Sequence, residues 1–219
     1  MPIAEAGAGM DRDEVWQTID AERLALAGLL EGLAPEEWEH PSLCADWRVR
    51  DVAAHLSMAP EFTLGSALVE LARARGGYNR MVRETARRKA ARPTGELVAD
   101  LRGIVGLRRL APGTTPREPL LDVLVHGQDI ALPLGRHRAM PLTAARVSAD
   151  RAWALAPLFF HRRRLRGLRL VATDVPWAKG EGPEVTGPIE ALLLLVTGRT
   201  AAALPRLTGP GTAELTRRS

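Results

Sequence analysis

One segment, residues 118–134 (EPLLDVLVHGQDIALPL), constrains the fold more than any other part of the chain. Its pattern predicts a helix that is apolar almost all round and therefore buried. Asp122, His126 and Asp129 are the exceptions: at i, i+4 and i+7 they share roughly 60° of arc on a helix. Burying two carboxylates and an imidazole is costly unless they are paired or bind a metal. The stripe is therefore either a buried polar network or half of a metal site.

The composition favours a helical protein. The chain has 219 residues, enough for one large domain or two small ones. Aromatic residues make up only 4%, so the core must rely on Leu, Val and Ala, which favours helices over a β-sandwich. The net charge of +4 is too small to indicate nucleic-acid binding by itself. The basic runs at 80–92 and 161–169 are interpreted as solvated surfaces, so no nucleic-acid partner is expected.

Cysteine use and hydropathy indicate the compartment. Cys44 is the single cysteine, which excludes an internal disulfide and is compatible with a reducing environment. The first residues show no signal-peptide pattern, and no apolar run approaches ~18 residues. We therefore expect a cytoplasmic protein with no membrane partner.

Residues 1–138 are predicted to form a bundle of about four principal helices. Asp46 is the expected N-cap of the helix that carries His55, and Pro60 is expected to kink or break that helix. The predicted helical segments are 13–33, 46–76, 80–92, 96–110 and 118–134.

Residues 139–219 are predicted to form a small α/β domain, which makes the chain an α+β protein. The boundary is placed between Gly135 and Pro141. The expected elements are a helix at 141–160, a strand at 168–175, a short strand at 184–186, a helix from Pro188 to about Arg199, and a last short helix.

His55 is the best candidate for a third ligand beside the stripe. It points toward the apolar face of its helix, and facing helices in a bundle deliver inward side chains to one point. Two imidazoles and one carboxylate suit Zn²⁺ with an open fourth position, although Fe²⁺ or Ni²⁺ also fits. The pattern alone leaves a satisfied core histidine as the alternative.

Three stretches resemble the mycothiol-dependent maleylpyruvate isomerase family. Residues 44–56 (CADWRVRDVAAHL) are similar to a family run that ends in a histidine and a leucine. Residues 122–129 (DVLVHGQD) resemble the second metal motif of the family, an acidic residue shortly before a histidine. The C-terminal likeness lies in 170–177 (LVATDVPW), Gly180, Gly182, Gly187 and 192–199 (LLLLVTGR).

The resemblance implies a DinB-like four-helix bundle followed by a small α/β domain similar to sterol-carrier-like folds. It further implies that His55, Asp122 and His126 bind a divalent metal, usually zinc, and that the open position takes the thiol of mycothiol. The thiolate would add to the cis double bond of maleylpyruvate, and rotation followed by thiolate loss would give the trans product. Arg199 matches an arginine that binds a substrate or cofactor carboxylate.

The acidic ligand departs from the family pattern, because Asp122 stands where Glu is typical. Asp129, one turn further along, is an alternative ligand, but we expect it to orient an imidazole N–H instead. Asp51 is expected to do the same for His55, or merely to favour the first helical turn. Cys44 is expected to be a small packed residue, and Trp47 a core anchor or a pocket wall.

The sequence therefore predicts a zinc-dependent, mycothiol-using enzyme, either an isomerase or a thiol S-transferase acting on a small electrophile. A non-catalytic metal- or ligand-binding protein on the same scaffold is the alternative, motivated by Asp122. Nucleic-acid binding through residues 162–169 is a third hypothesis.

Overall fold

The computed structural model describes residues 9–58, 77–110, 113–155 and 162–218. It combines helices with a small sheet, which confirms the predicted α+β class. The chain divides into two compact units, Trp16–Arg138 and a second one made of Ala139–Ser219 with the chain up to Val15. Within the described residues, no helix is both long and apolar enough to cross a membrane.

The first unit is helical. Helix α3 packs against α4, α5 and α6 around a core of aliphatic side chains and Trp38. The N-cap of α1 is Asp11, whose Oδ1 accepts the amides of Asp13 and Glu14 at 2.8 and 2.9 Å. The helices are α1 (Arg12–Glu31), α2 (Pro35–Trp38), α3 (Val49–Met58), α4 (Tyr78–Ala90), α5 (Thr94–Gly103) and α6 (Arg117–Ala131).

The start of α3 differs from the prediction. Asp46 is not its N-cap: this residue lies in a turn with a left-handed φ of 64°, and the helix begins at Val49. The amide of Arg48 instead donates to Asp51 Oδ2 at 2.9 Å, so the helix start is capped from inside its own first turn. The break predicted near Pro60 lies outside the described residues.

Helix α5 is shorter than predicted. It ends at Gly103, not near residue 110, and Gly106 follows with a φ of 81°. Asp20 on α1 explains this end, because its carboxylate accepts the Gly106 amide at 2.9 Å and the Arg108 guanidinium at 2.7 Å. These tertiary bonds compete with continuation of the helix.

The second unit contains a three-stranded sheet in the order β2-β1-β3. Strand β1 (Arg169–Ala172) pairs antiparallel with β2 (Ala178–Gly180) and parallel with β3 (Glu184–Gly187). The strand predicted over residues 168–175 is therefore shorter in the structure, where β1 has four residues. Strand β2 was not predicted. Gly182 (φ 120°) is required between β2 and β3, since a Cβ there would lie 2.2 Å from the Gly167 carbonyl oxygen.

Helices complete this unit. The buried helix α9 packs against α7 and supplies much of the apolar core. The amide of Ile189 at its start donates to Asp174 Oδ1 at 2.9 Å, which fixes the helix after β3. The helices are α7 (Leu142–Leu155), α8 (Arg162–Leu165), α9 (Ile189–Val196), α10 (Thr200–Ala203) and α11 (Thr212–Arg218), with a 3₁₀ turn at Leu204–Arg206.

Candidate metal centre

Three predicted ligands from two helices meet in the first unit. Asp122 and His126 lie one turn apart on α6, and His55 reaches them from α3. Asp122 Oδ1 is 3.3 Å from His126 Nε2 and 3.4 Å from His55 Nε2. These donor atoms all lie within 4.8 Å of one another. The fold therefore brings the imidazole of His55 to the carboxylate of Asp122 and the imidazole of His126, which lie on a helix distant in sequence.

Two of the spacings between these atoms are compatible with ligation of one divalent metal. Zn–N and Zn–O bonds of about 2.0–2.1 Å at tetrahedral angles separate neighbouring ligand atoms by about 3.3–3.4 Å. A charge-assisted N–H···O bond is shorter, at about 2.7–2.9 Å. The distances from Asp122 to the two imidazoles, 3.3 and 3.4 Å, match the ligand separation. The residues present thus fit the ion that the donor chemistry implies.

The side chains are only partly covered. Exposed fractions are 33% for Asp122, 21% for His55 and 15% for His126, so the three donors lie at an accessible surface. In contrast, Asp129 behind them is fully buried. A small molecule can therefore approach the donors from the side of Asp122.

Asp129 fixes the orientation of His126. Its Oδ2 lies 2.7 Å from His126 Nδ1, a short hydrogen bond that places the ring proton on Nδ1. In the neutral ring, Nε2, which faces Asp122, then carries the lone pair that a metal would bind. A carboxylate behind a histidine ligand is the usual arrangement in metal sites, because it sets the tautomer and raises the basicity of the ligand.

Charges within the cluster shift the pKa values in opposite directions. Burial alone would raise the pKa of Asp122, but the charges of His55 and His126 outweigh it and hold the pKa well below its ordinary range. Burial would lower the pKa of His126, but the carboxylates of Asp122 and Asp129 hold it well above its ordinary value. Both shifts favour pairing of the Asp122 carboxylate with a positive charge at His126, and a divalent cation could supply that charge.

Cys44 lies beside the centre, contrary to the expectation of a merely packed residue. Its thiol donates to Asp129 Oδ2 at 3.1 Å, and Sγ is 3.6 Å from His126 Nδ1. These atoms form a second group with metal-binding potential. However, the 2.7 Å from Nδ1 to Oδ2 is too short for two ligands of one tetrahedral ion and suits a hydrogen bond. Of the two groups, His55, Asp122 and His126 are therefore the better candidate ligand set.

Trp47 covers the imidazoles. Its ring centroid is 6.3 Å from that of His126 at an interplanar angle of 18°, and 5.4 Å from that of His55 at 59°. The indole thus packs against both histidine ligands and also contacts the core. Of the two predicted roles, the structure supports a wall beside the site in addition to a core anchor.

Cys44 and Trp47 come from one connection, residues 41–48, which precedes α3. The amide of Ser42 donates to the Trp47 carbonyl at 2.8 Å, closing a turn. The amide of Leu43 donates to the Asp129 carbonyl at 3.1 Å, which attaches this turn to α6. The sequence signal for both residues was their proximity to the His55 motif. A pocket wall was one of the two roles predicted for Trp47, whereas no contact between Cys44 and the centre was predicted.

The two other predicted site residues, Asp51 and Arg199, make contacts of their own within their units. Asp51 directs its carboxylate to Arg48, accepting the backbone amide at 2.9 Å and Nε at 3.1 Å, so it supports the first helical turn and does not orient His55. Arg199 lies in the second unit between α9 and α10, where Nη1 donates to the Thr197 carbonyl at 2.7 Å. Its role toward a carboxylate stays a prediction.

Comparison with known proteins shows what the chain is similar to. Residues 19–112 match the family model of the mycothiol maleylpyruvate isomerase N-terminal domain. This part of the chain is therefore similar to that domain. The match includes His55 and ends before Asp122 and His126, so it covers one of the two helices that carry ligands.

Solved structures extend the likeness to most of the chain. A crystal structure of the mycothiol-dependent maleylpyruvate isomerase is 15% identical, with a TM-score of 0.60 and coverage of 92% of this chain and 93% of that one. A histidine-to-alanine variant of that enzyme gives a TM-score of 0.59 at the same identity and coverage. These values confirm the fold that the resemblance implied. None of the curated proteins matches the chain.

Proposed function

We propose that this protein is a metal-dependent enzyme that uses mycothiol as its thiol and acts on a small electrophile, as an isomerase or a thiol S-transferase. The observation that carries the proposal is the spacing of 3.3–3.4 Å between Asp122 and the two imidazoles of His55 and His126. The N-terminal domain family and the fold of the solved isomerase support it.

The donor set suits the binding of a thiolate. His55 and His126 would ligate as neutral imidazoles and Asp122 carries one negative charge, so a divalent ion would retain a positive charge for an anionic fourth ligand. When bound, the ion would lower the pKa of the thiol and keep it as the nucleophilic thiolate. Zn²⁺ is our first choice for this donor set.

The chain's own residues would hold and shape this centre. Asp129 keeps the Nε2 atom of His126 available, and Trp47 shields one side of both imidazoles from water. The exposed side near Asp122 would admit the thiol and the substrate. Isomerisation and S-transfer both begin with addition of a thiolate to an electrophilic carbon, and they differ in whether the sulfur leaves again. We further propose that Arg199 binds a carboxylate of substrate or cofactor.

A non-catalytic metal-binding protein was the alternative because Asp122 is shorter than the usual Glu. The structure weakens this motivation, since the Asp122 carboxylate lies at ligand spacing from both imidazoles without a longer side chain. The alternative therefore becomes one outcome of the activity test.

Metal analysis tests the centre. Protein purified without a histidine tag should contain about one divalent ion per chain, and His55→Ala and His126→Ala should each lose it. His40→Ala is the matched control, because His40 is exposed and its Nδ1 lies 2.8 Å from the Pro41 carbonyl oxygen. Absence of metal from the wild type after reconstitution with Zn²⁺, Co²⁺, Ni²⁺ and Fe²⁺ would refute the proposal.

Turnover tests the chemistry. The reconstituted protein should act on maleylpyruvate or another small electrophile only when mycothiol is supplied, and His126→Ala should abolish this activity. Metal uptake without thiol-dependent turnover across an electrophile panel would favour the non-catalytic alternative.

A further inference from the structure

His126 is held from two sides by the turn that precedes α3. Trp47 lies nearly parallel to its ring at 18°, and Cys44 donates its thiol to the same Asp129 oxygen that bonds His126 Nδ1. Both residues come from the 41–48 connection, which the Leu43 amide attaches to the Asp129 carbonyl at 3.1 Å.

These contacts restrict the two rotations available to an imidazole. A hydrogen bond at Nδ1 sets the rotation of the ring about the bond that joins it to Cβ, and a flat neighbour on the ring face limits the tilt of the ring. Together they determine where Nε2 points. A second donor to Asp129 strengthens this effect, because it restricts rotation of the carboxylate. The thiol of Cys44, 3.1 Å from Oδ2, is such a donor.

We infer that Cys44 and Trp47 are positioning residues of the metal centre, which hold His126 Nε2 at the ligand position through Asp129 and through stacking, respectively. This inference rests on the proposed function. Cys44 acts as a hydrogen-bond donor and does not bind the ion, in keeping with the short distance of 2.7 Å between His126 Nδ1 and Asp129 Oδ2.

Four variants of the full chain separate donation from ligation. Cys44→Ala removes the donor, while Cys44→Ser restores an O–H that can reach the same oxygen. Trp47→Ala removes the stacked face, while Trp47→Phe retains an aromatic ring. From the usual strength of one hydrogen bond or one aromatic pair, we expect each alanine variant to bind Co²⁺ about three- to tenfold more weakly. The serine and phenylalanine variants should recover most of the affinity.

The absorption spectrum of bound Co²⁺ supplies a readout that a merely structural role would not move. The d–d bands report ligand geometry, so we expect them to shift in Cys44→Ala and Trp47→Ala and to return toward the wild-type spectrum in the conservative variants. Trp38→Phe is the matched control, because Trp38 is a buried core residue of the same unit. It should lower thermal stability and leave Co²⁺ affinity and spectrum unchanged.

Each contrary result has its own meaning. Wild-type Co²⁺ affinity and spectrum in both alanine variants would overturn the inference and leave the proposed function intact. A sulfur-to-Co²⁺ charge-transfer band without added thiol, lost in Cys44→Ala and Cys44→Ser alike, would show that Cys44 is a ligand and would overturn its positioning role. Failure of the wild type to take up Co²⁺ would overturn the proposed function itself.

Discussion

Gly127, next to the ligand His126 on α6, offers the sharpest test of how this helix is packed. A Cβ at this position would lie 3.1 Å from both Cζ and Nε of Arg138. Arg138 cannot move away freely, because its side chain is only 8% exposed and its Nη2 lies 2.5 Å from Glu22 Oε2. The same nitrogen donates to the Glu22 carbonyl at 3.1 Å. Gly127→Ala therefore forces a methyl group against a buried ion pair.

The expected magnitude follows from two opposing effects. Replacing a glycine by alanine inside a helix stabilises by about 0.5–1 kcal/mol when space is available. Overpacking a tight site costs about 1–3 kcal/mol. We expect Gly127→Ala to be destabilising by up to about 2 kcal/mol. Gly28→Ala on the exposed side of α1, with nothing within 4 Å of its Cβ, should be stabilising by about 0.5–1 kcal/mol.

Urea unfolding followed by circular dichroism measures both variants against the wild type. Repeating Gly127→Ala in an Arg138→Ala background completes a double-mutant cycle, and there the penalty should largely disappear. If Gly127→Ala stabilises the protein as much as Gly28→Ala does, the Arg138 side chain does not pack closely against α6 at Gly127.

Three further predictions concern the centre and its surroundings. Asp129→Asn keeps the shape of the side chain but removes its charge, and should weaken metal binding about 10–100-fold in competition with a chromophoric chelator; wild-type affinity would contradict the orienting role. Co²⁺ should quench part of the tryptophan fluorescence, and Trp47→Phe should remove this quenching, whereas persistence of the full effect would place the ion near another tryptophan. Burial alone would raise the pKa of Asp20, but bonds from Arg108 and the Gly106 amide outweigh it and lower the pKa. The stabilisation that this carboxylate provides is therefore present above its unfolded-state pKa and is lost as the pH falls through its folded-state pKa. We expect Asp20→Asn to flatten the decline in the free energy of unfolding between about pH 5 and pH 2. An unchanged acid dependence would contradict this.

The sequence predicted the parts of the centre that lie on helices. Asp122, His126 and Asp129 could be placed on one stripe because helical periodicity fixes the angles between them and the surrounding side chains are apolar. His55 followed from its position on the apolar face of another helix. In the structure, His55 Nε2 lies 3.4 Å from Asp122 Oδ1.

Long-range contacts decided the features that sequence reasoning missed. Cys44 and Trp47 act on the centre because the Leu43 amide bonds to α6, and a loop pattern does not reveal such a contact. The end of α5 likewise depends on Asp20, which is distant in sequence. Strand β2 is only three residues long, too short for an alternating pattern to be visible.

The ligands of the proposed centre are divided between α3 and α6. A separation of 67 positions in the chain lies between His55 and Asp122. A bound ion would therefore be a removable cross-link, comparable with a disulfide that closes a long loop. In the chain-entropy account, such a link stabilises by about 4 kcal/mol, a large part of the stability of an ordinary domain. Metal starvation would then do more than stop turnover. It would also shorten the lifetime of the protein, because the chain without its ion opens more often to proteases.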